Sequence, residues 1–186
     1  MLTNTAFNNL LKLSLLFFII ISCKKETGKK VETTSTKINL ATNITDFKTK
    51  MTELDTIKIW FNHSICTYRG FERIEITKQS DSLKIKTEYR EETLEENPKW
   101  ELYYEKTIPI TDTIWKFEEF LKRNKKRKSL KKLGVLQITF NGTRVHYTAN
   151  GLVDLNRFMS DYFQIMKALH PENKNEIYGI EAIEEE

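Results

Sequence analysis

The dipeptide Asn141-Gly142 constrains the fold of this 186-residue chain more than any other local feature. It separates Val135 to Phe140 from Thr143 to Thr148, two short runs rich in aliphatic, aromatic and β-branched residues. A two-residue Asn-Gly loop takes positive φ at both positions, forms a type I′ turn and thereby fixes the register of its hairpin. Phe140 then faces Thr143, Ile138 faces Val145 and Leu136 faces Tyr147 on one face, which the alternation makes the core face. Gln137 opposes His146, and Thr139 opposes Arg144, on the outward face.

Upstream, the same period of two recurs. Ile57, Ile59 and Phe61 alternate with Lys58, Trp60 and Asn62, which predicts a strand. Strands at 71–78 and 83–90 follow, joined by Gln79-Ser80-Asp81-Ser82, whose side chains favour a turn. Trp100, Leu102 and Tyr104 share one face of a fourth strand that ends near Pro109. Helical spacing appears in three places. Phe47, Met51 and Leu54 follow Thr45-Asp46 and predict a short helix; Ile114, Phe117, Phe120 and Leu121 follow Asp112 as cap. Leu155, Phe158, Met159, Tyr162, Phe163, Met166 and Leu169 form a broad stripe behind Asp154 as cap, ended by His170-Pro171. The expected class is α+β: an antiparallel sheet of four strands plus the Asn-Gly hairpin, with two main helices packed on one face.

Composition then sets the boundaries. From Lys24 to Asn43 the chain is Lys, Glu, Thr, Ser, Gly and Asn with scattered Val31, Ile38 and Leu40, too little apolar surface to offset the entropy of ordering it. Residues 23–43 are therefore expected to form a disordered tether, 44–180 one α+β domain, and 181–186 an acidic tail. Two cysteines occur, Cys23 and Cys66.

At the N-terminus, Leu13 to Ile21 is an almost unbroken apolar run behind Lys12, shorter than the ~20 residues a helix needs to span a bilayer. It ends in Ile20-Ile21-Ser22-Cys23, which resembles the lipobox of bacterial lipoproteins. The resemblance covers the signal and not the domain. It implies that residues 1–22 are a signal peptide cut before Cys23, and that Cys23 carries a covalent diacylglyceryl group and usually an N-acyl chain such as palmitate. It implies no other cofactor. Localisation follows: a cell-envelope protein, anchored to a membrane facing the periplasm or the cell surface. Losing Lys12 takes the formal charge from +4 to +3, too mild to name a partner. With Cys23 acylated, Cys66 has no disulfide partner within the chain.

Several side chains could carry chemistry. Cys66 follows His63-Ser64-Ile65, which makes Cys66 a candidate nucleophile with His63 as base; the plainer reading is a core thiol, since free cysteines are among the most buried residues. His146, on the outward hairpin face beside Gln137 and Arg144, could polarise a ligand carbonyl or anion. Cys66 and His63 could also form a pair of metal ligands, but a structural zinc wants four and the only other histidines are His146 and His170, so no metal site is expected. Lys122, Arg123, Lys125, Lys126, Arg127, Lys128, Lys131 and Lys132 form a run without an acid. Such a run is ordinarily a solvated face, and its start suits the negative end of a helix. No aromatic residue interleaves with it and the lipobox points outside the cytoplasm, so nucleic acid is not the expected partner. An anionic lipid or acidic envelope surface fits better. Glu88, Glu91, Glu92, Glu95 and Glu96 form an opposite patch without calcium-loop spacing.

Three function classes follow. The leading one is a binding or interaction module held on the envelope membrane by lipid at Cys23. The second is a small hydrolase-like envelope enzyme using Cys66 and His63 or the His146 face. The third is an inhibitor or immunity-type protein that plugs a toxin or lytic enzyme. The chain alone fixes neither ligand nor oligomeric state.

Overall fold

The alternating segments become seven strands of one antiparallel sheet in the computed structural model, which describes residues 37–65, 69–92, 97–130 and 133–179. The strands are β1 (Thr56–Asn62), β2 (Gly70–Gln79), β3 (Ser82–Glu91), β4 (Glu101–Pro109), β5 (Lys128–Ser129), β6 (Leu136–Phe140) and β7 (Thr143–Tyr147). Their order across the sheet is β4-β3-β2-β1-β6-β7-β5. The hairpin has the register its turn dictates, with Asn141 at φ 46° and Gly142 at φ 76°.

The expected sheet of four strands plus the hairpin gains a seventh strand. β6 pairs with β1, so the hairpin continues the same sheet, and β5 adds an edge strand beside β7. The junction sets Ile59 opposite Ile138 and Phe61 opposite Leu136, so both buried rows run on without a break. It also pairs two strand edges that would otherwise expose backbone groups.

One sheet face is core. Ile57, Ile59 and Phe61 of β1 align with Ile76, Ile74 and Glu72 of β2, and Ile85, Thr87, Tyr104, Ile138 and Val145 extend the face. Three helices accompany the sheet: α1 (Phe47–Lys50), α2 (Phe117–Arg123) and α3 (Gly151–Leu169). α3 lays Phe158, Tyr162, Met166 and Leu169 into the core, and Tyr162 stacks on Phe61 with ring centroids 3.7 Å apart. α2 adds Phe120, which meets Phe158 at 5.3 Å. Each such buried side chain is worth about 1.5–3 kcal/mol.

The helix boundaries differ from expectation for local reasons. The first helix is a 3-10 turn, Ile44–Asp46, followed by the four residues of α1; Met51 is buried beyond it and Leu54 is exposed. Asp112 does not cap α2. Its Oδ2 accepts the Trp115 N–H at 2.8 Å, so the chain turns once before the helix begins, burying Trp115 and exposing Ile114. Asp154 lies inside α3, where it accepts the Asn150 N–H at 2.7 Å. Leu102 and Tyr104 do not share a face, because β4 carries an extra residue, Tyr103, where the register shifts: Tyr104 faces Thr87 and Leu102 faces the next residue of β3, Glu88. The core also takes in residues before Ile44. Ile38 and Leu40 are buried in the core, and the Asn39 and Asn43 side chains hold their turn, so residues 37–43 belong to the domain rather than to a tether.

Candidate functional site

The buried face carries one polar centre. Glu72 sits in β2 with the parity of Ile74 and Ile76 and is fully buried. Its Oε2 accepts the Tyr162 hydroxyl at 2.7 Å and lies 3.1 Å from His63 Nε2, while Oε1 accepts the Tyr178 hydroxyl at 2.5 Å. Tyr178 also meets the Tyr104 hydroxyl at 3.2 Å. Burial, and then the Glu72 charge, push Tyr104, Tyr162 and Tyr178 well above the usual phenol range, so all three remain protonated donors. The carboxylate is thereby held by groups from β1's end, α3 and the C-terminal segment. A buried carboxylate with such partners fixes how those elements dock.

His63, the candidate base, therefore has its Nε2 committed to Glu72. Its ring is 3% exposed and stacks on Phe163 at 5.3 Å. Cys66, the candidate nucleophile, lies outside the described residues.

Beside this centre opens a cleft of about 340 Å³ lined by Tyr89, Lys99, Glu101, Tyr103, Lys174 and Asn175, among others. Tyr103 donates to the Lys174 carbonyl at 2.7 Å, and burial together with Glu72 pushes its phenol up to about 12. The far wall is a turn with three left-handed residues, Asn173, Asn175 and Glu176. His170 stacks on Tyr104 at 4.4 Å, with its Nε2 unpartnered and its pKa lowered chiefly by burial.

The opposite sheet face has no helix on it from α1–α3 and is not the polar surface that antiparallel sheets usually show to water. Trp60 stacks on Phe71 at 5.4 Å. The Arg73 and Arg90 guanidinium groups lie over Trp100 at 4.5 and 5.0 Å, and Arg90 also covers Phe71 at 5.1 Å. Arg73 pairs with Glu88, and the Arg90 Nε is buried without a partner. His146 also has the parity of this face, opposite Gln137, but it is 7% exposed and its Nδ1 has no partner. The expectation of an accessible His146 is thus corrected.

The basic run divides into paired and unpaired groups. Lys122 meets Asp46 at 3.5 Å and Arg123 meets Asp161 at 2.6 Å. Arg127 grips Asp154 with both terminal nitrogens, which holds the carboxyl down to about 2, and Lys128 donates to the Ala41 carbonyl. Lys125 and Lys126 are exposed, and Lys131 and Lys132 lie outside the described residues.

Sequence reasoning passed over Glu72 and the Trp60–Phe71–Trp100 group. An acid at a core parity was the available signal for the first. For the second it was Trp60 and Phe71 at water-facing parities of β1 and β2. Among the described residues no three His, Cys, Asp or Glu side chains gather as a metal site, and no helix is long and apolar enough to cross a membrane. Comparison of the chain with protein-family models, with curated proteins and with solved structures gives no match, so the geometry and the sequence motifs carry the functional reading.

Proposed function

We propose that the chain is a lipid-anchored bacterial envelope protein that works as a binding module, with the open sheet face as its partner-binding surface. The anchor rests on the lipobox resemblance at Cys23. The binding role rests on one observation: Trp60, Phe71 and Trp100 with Arg73 and Arg90 form a half-exposed aromatic and guanidinium patch on the sheet face turned away from the core. Tryptophan and arginine are the residues in which interface binding energy concentrates, and their mutual stacking holds them rigid before any partner arrives. A protein surface or extended peptide is the occupant such a patch suits; an inhibitor or immunity-type role is one form of this reading.

In-cell cross-linking of the lipidated full chain, comparing wild type with Trp60→Ser/Trp100→Ser, tests it. A discrete cross-linked partner should be lost in the variant, by roughly 30-fold for a hot-spot pair, while palmitate-analogue labelling that depends on Cys23 is unchanged. An identical partner profile in both proteins refutes the surface, and equal labelling of wild type and Cys23→Ala refutes the anchor.

One observation favours the enzyme reading as an alternative. His63 and Glu72 stand 3.1 Å apart, the spacing a base and its orienting acid would need if Cys66, three residues from His63 in sequence, were a nucleophile. Rapid alkylation of native protein by iodoacetamide, slowed in His63→Gln, supports that reading; alkylation only after denaturation removes it.

A further inference from the structure

From Phe120 to Val153 the chain contains no acidic residue, and this segment supplies β5, β6 and β7, the whole of one side of the sheet. The arginines at its start are taken up internally by Asp161 and Asp154. Lys122 meets Asp46 and Lys128 the Ala41 carbonyl, whereas Lys125 and Lys126 are exposed in the 3-10 turn just before the edge strand β5. Next to them stand large apolar side chains open to water. Leu130 is 60% exposed and Leu133 87%, the highest exposure of any large apolar side chain among the described residues. Arg127 ties this turn to the first turn of α3, which exposes Leu152 and Val153 as well. Lysines on an edge strand also discourage strand pairing between molecules. Exposed leucines work against that purpose, so edge protection does not account for the pattern.

The chain's path adds the second argument. Residues 37–45 run beside this edge: Lys128 donates to the Ala41 carbonyl, and Thr42 and Thr45 share a groove with Lys122, Lys125 and Lys128. Cys23 is fourteen residues from Lys37, a reach of at most about 50 Å. An anchored domain is therefore held close to the bilayer by a strand of chain that joins it at its basic, leucine-bearing edge.

We infer that the β5 edge docks on the anionic phospholipid surface of the anchoring membrane, with Leu130 and Leu133 entering the headgroup layer and Lys125 and Lys126 meeting phosphate. The inference rests on the lipid-anchor reading and deepens it. Apolar insertion and lysine–phosphate attraction act together, and each lysine near such a surface contributes a comparable share of the binding.

The test uses mature full-chain protein in a Cys66→Ser background, with Leu133→Cys carrying an environment-sensitive NBD fluorophore. Intact mass reports the acyl chains on Cys23 separately. With vesicles containing about one-third phosphatidylglycerol, the fluorophore should shift to the blue and be quenched by nitroxide lipids. Pure phosphatidylcholine vesicles should give neither effect. High salt should reverse the shift, and Lys125→Glu/Lys126→Glu should weaken the vesicle-dependent signal by on the order of tenfold or more. A fluorophore that stays in water on anionic vesicles, while acylated protein floats with them, overturns the docking and leaves the anchor standing. Absence of acyl mass overturns the anchor; anionic vesicles added at low salt then decide the edge on their own, because its lysines and leucines need no anchor to bind. A signal equal on neutral and anionic vesicles overturns the lysine–phosphate basis.

Discussion

Glu72 shows how one side chain can decide the arrangement of several elements. Two phenols and an imidazole converge on it in a space without water access, and removing the carboxylate leaves three buried polar groups without their partner. Loss of one member of a buried charged network costs about 3–5 kcal/mol, whereas deleting one hydrogen bond to a charged group costs about 1.5–3. Glu72→Ala should therefore lower the urea midpoint by more than Tyr162→Phe, with the slope of the transition unchanged for the tyrosine variant. Equal midpoints for wild type and Tyr162→Phe would falsify the network. The sequence makes the oddity of Glu72 legible, because its parity matches Ile74 and Ile76. Its partners are not legible: Tyr162 and Tyr178 stand 90 and 106 residues away, and no local pattern links an acid to a distant phenol. His146 was misjudged for a related reason. Alternation assigns a residue to a face, but it does not say what covers that face.

At the level of elements, local chemistry explains what could be read in advance. The Asn141-Gly142 turn fixes its hairpin because both residues of the loop adopt positive φ, and no other part of the chain has to cooperate. The β2–β3 hairpin follows the same logic through Ser80, also at positive φ. Pairing of β1 with β6 brings together segments more than seventy residues apart, and the bulge at Tyr103 shows only in the pairing of β4 with β3, so neither has a local signature. Gly134 belongs with these hidden features. A Cβ there would lie 2.2 Å from the Tyr147 carbonyl oxygen, a backbone atom that cannot swing aside. Gly142 instead stands in open space and pays only for its left-handed φ, about 1 kcal/mol when replaced by alanine. Thermal melts should rank Gly134→Ala below Gly142→Ala, and both below wild type. Indistinguishable melts for the two variants would mean that the strand can shift away from Gly134 at no cost, contrary to the close approach described.

Across the whole molecule, the sheet is built largely from neighbouring hairpins while its buried face is closed by the end of the chain. β1 to β4 are paired in chain order and close together in sequence, so much of the sheet can pair early. Glu72, Tyr104 and His63 wait for α3 and for the segment around Tyr178, which also walls the cleft through Lys174 and Ile177. Removing everything after His170 takes away Tyr178, the donor to Glu72 Oε1, and uncovers the aromatic rings beneath it. The truncated chain should keep its far-UV circular dichroism, because the strands and α3 retain their own hydrogen bonds. It should lose near-UV signal and bind ANS, the behaviour of a collapsed chain whose specific packing is gone. Tyr178→Phe in the full chain separates packing from hydrogen bonding: the ring stays, one bond to the carboxylate is lost, and near-UV signal should persist with a stability loss of about 1.5–3 kcal/mol. A truncated chain with native near-UV signal and a sharp melt would show that the sheet and α3 specify their own packing. Glu72 would then be satisfied from within that unit, and the C-terminal segment would serve only as a wall of the cleft.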